Sequence, residues 1–151
     1  MLRQQFTDAL KAAMLAKESA TVSSIRMITA ALKDRDIAAR PKGQTDGIGD
    51  EEILAMLQSM IKQRRESITL YTQGGRQDLV DKEQAEIEVI ERFLPAQMNE
   101  AETAQAIKDA IAETGAASIK DMGKVMAVLK DRYTGRLDFG RAGPLVKAAL
   151  G

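Results

Sequence analysis

The sequence predicts an all-α protein. Two observations lead to this prediction: apolar residues recur at three- and four-residue spacings along nearly the whole chain, and only 3% of the 151 residues are aromatic. A core filled mainly by Leu, Ile, Met and Ala is typical of helices packed on helices rather than of stacked sheets. We find no convincing strand, internal repeat or low-complexity segment.

Residues 1–96 are predicted to form an N-terminal subdomain of about four helices. The first helix is expected to end near Lys17, and the second to begin at a cap on Thr21 and end near Ala39. Residues 40–49 contain three Gly and one Pro, so they are predicted to form a loop.

The third and fourth helices are predicted to form an antiparallel hairpin. The third is expected to begin at Asp50, because acidic residues are favoured at a helix N-terminus, and to end at Gly74 and Gly75, which tolerate positive φ. The fourth is expected to end at Pro95. Such a short connection between two helices is typical of a hairpin.

Residues 97–151 are predicted to form a small C-terminal subdomain of three helices. Asn99 is expected to cap the first of them, Gly115 to end it, and Ser118 to cap the second. A proline breaks a helix when it lies well inside it. The last helix is therefore expected either to begin near Pro144 or, if it begins at Asp138, to have an irregular first turn.

The composition excludes several kinds of active site, and no cofactor or metal is predicted. The chain has neither His nor Cys, so it cannot build a Ser–His–Asp triad, a thiol nucleophile or an ordinary zinc site. The Gly-Lys pair at 123–124 does not fit a phosphate-binding loop, since the glycine spacing is wrong and no Ser or Thr follows. The carboxylates at 50–52 and 86–91 are interpreted as helix surface.

The expected location is the cytoplasm. A chain without cysteine fits a reducing compartment. Charged residues at positions 3, 8 and 11 interrupt the apolar run that a signal peptide needs. No segment approaches the roughly 20 apolar residues of a membrane span, so no membrane association is predicted.

Charge is unevenly distributed, although 22 basic side chains balance 22 acidic ones. Residues 76–102 hold eight acidic and three basic side chains, whereas residues 118–151 hold seven basic and three acidic. Glycines near helix starts let a phosphate approach backbone N–H groups, to which Lys or Arg adds charge. The candidate RNA-binding residues are therefore the basic ones near glycines: Lys124, Lys130, Arg132, Arg136, Arg141 and Lys147. Solvated helix faces also carry charge, so a purely structural interpretation stays open.

Two charged residues lie on otherwise apolar helix stripes. Arg64 lies between Ile61 and Ile68, and Glu83 lies between Leu79 and Ile87. Because an unpartnered buried charge is costly, we expect the two to form an ion pair across the hairpin, with Arg26 as a third member. A buried catalytic acid is the alternative interpretation of Glu83.

Four segments resemble the YqeY-like family: SIRMITAALKD at 24–34, IKQRRESITLY at 61–71, GRQDLVDKEQAEIEVIERFLPAQM at 75–98 and IKDMGKVMAVLK at 119–130. This family shares its domain with the tail of the B subunit of the tRNA-dependent aspartyl/glutamyl amidotransferase. The resemblance implies an N-terminal helical subdomain followed by three C-terminal helices. In the amidotransferase the related tail binds tRNA, whereas acyl activation and glutamine hydrolysis belong to a different domain and a different subunit.

Three hypotheses of function follow. The first is a non-catalytic module that engages tRNA, or a tRNA-charging assembly, through the basic C-terminal subdomain. The second is an adaptor that docks a protein partner on its acidic fourth helix or its exposed grooves. The third is a carbon–nitrogen ligase with glutamine as amido donor, an activity with which the resemblance to the family is associated. The sequence shows no set of catalytic residues for it.

Overall fold

The computed structural model describes all 151 residues and confirms the all-α prediction, with seven α-helices and no strand. Short 3₁₀ turns occupy Arg40–Lys42 and Ile119–Asp121. The helices are α1 (Leu2–Leu15), α2 (Ser19–Ala39), α3 (Asp50–Gln73), α4 (Gln77–Glu91), α5 (Glu100–Thr114), α6 (Met122–Tyr133) and α7 (Phe139–Leu150).

The chain divides into two compact units, Met1–Leu94 and Pro95–Gly151. The division falls at the Leu94–Pro95 bond, whereas the sequence placed the boundary after residue 96. The N-terminal unit holds α1 to α4, and the C-terminal unit holds α5 to α7.

The N-terminal unit is built around the long α3–α4 hairpin, with α1 and α2 packed beside it. Its core residues come from all four helices, and Phe6 of α1 meets Phe93 edge to face with ring centroids 4.9 Å apart. The hairpin turn uses the predicted glycines. Gly75 has φ +68, and the N–H of Arg76 donates to the Tyr71 carbonyl. This hydrogen bond gives a carbonyl in the last turn of α3 a partner.

The C-terminal unit packs three short helices around a core of its own. Val125 and Leu129 of α6 and Val146 of α7 are fully buried, and α5 supplies Ile107 and Ala110. The Asn99 cap is present: its side chain accepts from the Glu102 N–H, and Glu102 in turn accepts from the Asn99 N–H.

Two expected helix caps differ from the structure. The second helix begins at Ser19 rather than after Thr21, since the Val22 N–H already donates to the Glu18 carbonyl. Ser118 precedes a 3₁₀ turn and makes no side-chain cap; Asp121 instead accepts from the Ala117 N–H.

The last helix begins at Phe139 and runs through Pro144 without ending. Asp138 caps it by accepting from the Gly140 N–H, and the Arg141 and Ala142 N–H groups donate to the Asp138 carbonyl. Gly143 precedes the proline and has no Cβ, which removes part of the clash that normally excludes a helical residue before proline.

Candidate nucleic-acid interface

The candidate interface lies on the outer faces of α6 and α7. Both helices turn their apolar sides toward the C-terminal core, which places their charged side chains in solvent. Lys124 and Lys130 lie on α6 six residues apart, and Arg141 and Lys147 have the same spacing on α7. Six residues of helix correspond to about 9 Å along the axis. The same six residues turn the side chain through about 600°, so the two cations of each helix point about 120° apart around its axis and do not form a single row.

Two of the six candidates are engaged within the unit. Arg132 donates to Glu113 of α5 at 2.5 Å, a hydrogen bond that raises the pKa of the guanidinium. Arg136 donates to the Ala96 carbonyl at 3.2 Å, and its guanidinium lies 3.8 Å from Glu102. These contacts give both arginines a structural role.

The other four candidates are exposed. Lys124 and Arg141 lie only at the edge of ion-pair range, 4.0 Å from Asp121 and 3.7 Å from Asp138, and their side chains are 72% and 71% exposed. Lys130 and Lys147 are exposed and form no ion pair. These four side chains are available for an external anion.

The neighbouring helix has the opposite charge. Four acidic side chains lie on α5 with a single basic one, Lys108. Glu102 and Glu113 of this helix are the partners of Arg136 and Arg132. The C-terminal unit therefore carries an acidic helix on one side and a basic pair of helices on the other.

The two aromatic residues of this region belong to the core. Tyr133 and Phe139 are half-buried and pack against the buried residues of the C-terminal unit.

The segment before α5 is attached to the turn before α7. The Met98 N–H donates to the Arg136 carbonyl at 3.0 Å, and the Gln97 side chain donates to the Gly135 carbonyl at 2.6 Å. Gly135 can follow this turn because it takes φ +82. No local pattern pointed to Gln97, since its partner is a backbone carbonyl far along the chain.

The predicted buried ion pair exists with a different acidic partner. Arg64 donates to Glu86 at 3.0 Å and to the Met60 carbonyl at 3.2 Å, and the Arg64 residue is only 8% exposed. Glu83 was the predicted partner, and this was wrong because of the hairpin register. Arg64 lies ten residues before Gly74 and Glu86 eleven after Gly75, so they face each other, whereas Glu83 lies nearer the turn.

Arg26, the predicted third member, is exposed and takes no part in this pair. Its neighbour Met27 occupies that place, with its sulfur 4.0 Å from the Arg64 guanidinium. Glu86 was interpreted from the sequence as exposed helix surface, yet its side chain is 12% exposed.

A second ion pair, absent from the sequence predictions, joins α1, α2 and the loop after α2. Arg3 donates two hydrogen bonds of 2.7 Å to Asp36 and a third to the Ile48 carbonyl, while the Ile48 N–H donates back to Asp36. These hydrogen bonds lower the pKa of Asp36 to about 2. A Cβ on Gly47 would lie 2.5 Å from the Arg3 guanidinium. The glycine at this position was therefore the one feature of the sequence that could have indicated this ion pair.

No group of three Asp or Glu side chains converges where a metal ion could be held. None of the helices combines the length and the apolar character that crossing a bilayer requires.

Fold and site define a protein of two helical units whose C-terminal unit separates basic from acidic helices. The chain belongs to the Yqey-like protein family, whose family model (YqeY) matches residues 3–150. This confirms the resemblance seen in the sequence.

Curated relatives cover part of the chain. "Altered inheritance of mitochondria protein 41, mitochondrial" of Eremothecium gossypii is 38% identical over 100 residues, which are 62% of this chain and 52% of that protein. Its Saccharomyces cerevisiae namesake is 35% identical over 86 residues, 56% of this chain and 44% of the relative. The Lachancea thermotolerans protein is 37% identical over 86 residues, with shares of 56% and 43%. The chain thus spans about half the length of the curated relatives it matches.

The cytoplasmic prediction is contradicted by these relatives, whose names call them mitochondrial. The prediction depended on the absence of cysteine and of an apolar span. Neither feature distinguishes the cytoplasm from the interior of an organelle.

Proposed function

We propose that the chain is a non-catalytic module that contacts the phosphate backbone of tRNA, alone or within a tRNA-charging assembly, through α6 and α7. The separation of charge within the C-terminal unit carries the proposal. Lys124, Lys130, Arg141 and Lys147 are exposed on the two basic helices, while the carboxylates of α5 neutralise Arg132 and Arg136.

The chemistry of the surface favours phosphate over bases as the contacted group. Lysine and arginine side chains on an open helix surface neutralise phosphates and carry no sequence information by themselves. Tyr133 and Phe139 are half-buried against the core of the unit, so the exposed cations are the more accessible contact groups. Binding is therefore expected to depend on the shape and charge of the RNA.

The experiment is fluorescence anisotropy of labelled tRNA titrated with the full chain. Lys124→Ala and Arg141→Ala should each weaken binding to different tRNAs by a similar factor, because each removes a phosphate contact. Lys33→Ala, an exposed lysine on α2, is the matched control and should bind as the wild type does. Unchanged binding by both test variants would contradict the proposal.

Arg136→Ala is expected to act differently from these two variants. Its guanidinium holds the Ala96 carbonyl and faces Glu102, so its loss should lower the stability of the C-terminal unit, and tRNA affinity should fall only as far as the unit unfolds. Thermal unfolding of the same variant separates the two effects.

An adaptor function is the second candidate, and a specific feature of the N-terminal unit favours it. A groove of about 330 Å³ is lined by Val89 and Phe93 and by small residues of α1, including Ala9 and Ala12. Glu18 and Arg92 also line this groove and give it one charge of each sign. Crosslinking in intact cells distinguishes the two candidates: recovery of one protein partner without RNA would favour the adaptor, whereas recovery of tRNA would favour the RNA module.

A further inference from the structure

A second cavity opens at the turn between α1 and α2, far along the chain from the basic helices. It is a depression of about 390 Å³ that is open to solvent, since five of its six lining residues are exposed. Six residues line it: Met14, Lys17, Ser19, Val22, Ser23 and Arg26. We refer to it as the α1–α2 cavity.

The polar lining of the α1–α2 cavity consists of hydrogen-bond donors for an anion. Lys17 and Arg26 form no ion pair, and the Ser19 and Ser23 hydroxyls make no hydrogen bond within the chain. No carboxylate lines the cavity, since Glu18 lines the groove beside α4 instead. The buried Arg64, by contrast, is neutralised by a carboxylate. Two cations and two hydroxyls without an acidic partner favour binding of an anion.

The number and kind of donors favour a phosphate monoester over a carboxylate. A phosphate monoester presents three terminal oxygens, and an ammonium, a guanidinium and two hydroxyls supply donors for all of them.

The remaining lining is apolar. Met14 and Val22 form one wall, and Met14 is 51% exposed. A bare inorganic ion would leave this wall in water, whereas the organic part of a phosphate ester would cover it. We therefore propose that the α1–α2 cavity binds a small organic phosphate monoester, with Lys17 and Arg26 on its phosphate group and Met14 and Val22 against its organic part.

The conformation of Lys17 provides a variant that separates binding from folding. Lys17 has φ +56, the left-handed region in which a residue with a Cβ is strained. Lys17→Gly removes the cation and relieves this backbone strain. It should unfold at a temperature no lower than the wild type, so that lost binding cannot be attributed to misfolding.

The test is an NMR titration of the full chain with phenyl phosphate, followed through the backbone amides of residues 19–26. Shifts confined to this segment are expected, with inorganic phosphate binding more weakly than phenyl phosphate. Lys17→Gly and Arg26→Gln should each weaken binding at least tenfold. Arg35→Gln, an exposed arginine on the same helix without an ion pair, is the control and should bind normally.

Other results would overturn the proposal. Equal affinity in all variants, or shifts scattered over the basic surface, would mean that phosphate only screens charge. Equal affinity for inorganic phosphate and phenyl phosphate would show that the cavity does not recognise the organic part of a ligand. Shifts of residues 19–26 by a short single-stranded RNA but not by phenyl phosphate would make the cavity part of a nucleic-acid surface instead.

Discussion

Arg64 and Glu86 place two opposite charges inside the α3–α4 hairpin. The stability of this core depends on whether both charged groups have hydrogen-bond partners. The guanidinium donates to Glu86 and to the Met60 carbonyl, and no buried side-chain N or O lacks a partner. A buried pair of this kind is weak evidence for stability by itself, but breaking it is costly, because the remaining charge stays desolvated.

Arg64→Met and Glu86→Leu should therefore each destabilise the protein by about 3–5 kcal/mol, and the double variant by much less than the sum. Urea unfolding of the two single variants and the double variant measures this coupling. Glu83→Leu is the matched control on the same helix and should show little coupling to Arg64. Additive effects of the Arg64 and Glu86 variants would contradict the pairing.

The lowered pKa of Asp36 should make the free energy of unfolding depend on pH in the acidic range. Its pKa is lowered from an ordinary value of 3.8 to about 2 by the Arg3 hydrogen bonds, so the folded state favours the carboxylate. The resulting stabilisation is complete above about pH 4 and is lost as the pH falls through about 2. The stability difference between wild type and Asp36→Asn should be constant near neutral pH and shrink over this interval. A difference that does not change down to pH 2 would show that the pair is not formed.

At the scale of the element, local signals in the sequence were enough wherever a helix end depends on neighbouring residues. Gly75, Asn99 and Gly115 end or begin helices as predicted, because positive φ and side-chain capping act within a few residues. The seven helices follow from apolar spacing together with these signals at their ends. Partners that lie far apart in the chain, such as Arg3 with Asp36 or Gln97 with Gly135, leave no periodic pattern and were missed.

The proline in α7 is the clearest local conflict. Pro144 lacks the N–H that would donate to the Gly140 carbonyl, and helix interiors containing proline are destabilised by about 3 kcal/mol. Pro144→Ala should therefore raise the stability of the C-terminal unit, as measured by thermal unfolding. Gly143→Ala is the companion variant: it should be tolerated better in the Pro144→Ala background, because a Cβ before proline clashes in the helical conformation. A loss of stability in Pro144→Ala would mean that the proline is required for packing.

At the scale of the whole molecule, two separate cores predict two folding units. Fragment 1–94 contains the complete α1–α4 core and should unfold cooperatively in urea without the rest of the chain. Fragment 95–151 has a smaller core and should be less stable. Absence of a cooperative transition in fragment 1–94, with a normal transition in the full chain, would contradict independent folding.

The two units divide the proposed functions between them. The C-terminal unit carries the exposed cations proposed to contact tRNA, and the N-terminal unit carries the α1–α2 cavity and the groove beside α4. The net charge of zero does not reveal this arrangement, because it sums over acidic and basic helices. The sequence located the basic region, and only the structure separated the four exposed cations from the two that are neutralised by α5.

The central claim is tested most directly by the salt dependence of tRNA binding. If α6 and α7 neutralise phosphates, the logarithm of the binding constant should fall linearly with the logarithm of salt concentration. Anisotropy titrations over a salt series should show a slope that flattens by about one unit for each cation removed, tested with Lys124→Ala, Lys130→Ala, Arg141→Ala and Lys147→Ala, singly and combined. Glu88→Gln on α4 should leave the slope unchanged. A slope that is the same in the combined variant as in the wild type, or binding that does not respond to salt, would contradict the RNA-associated function.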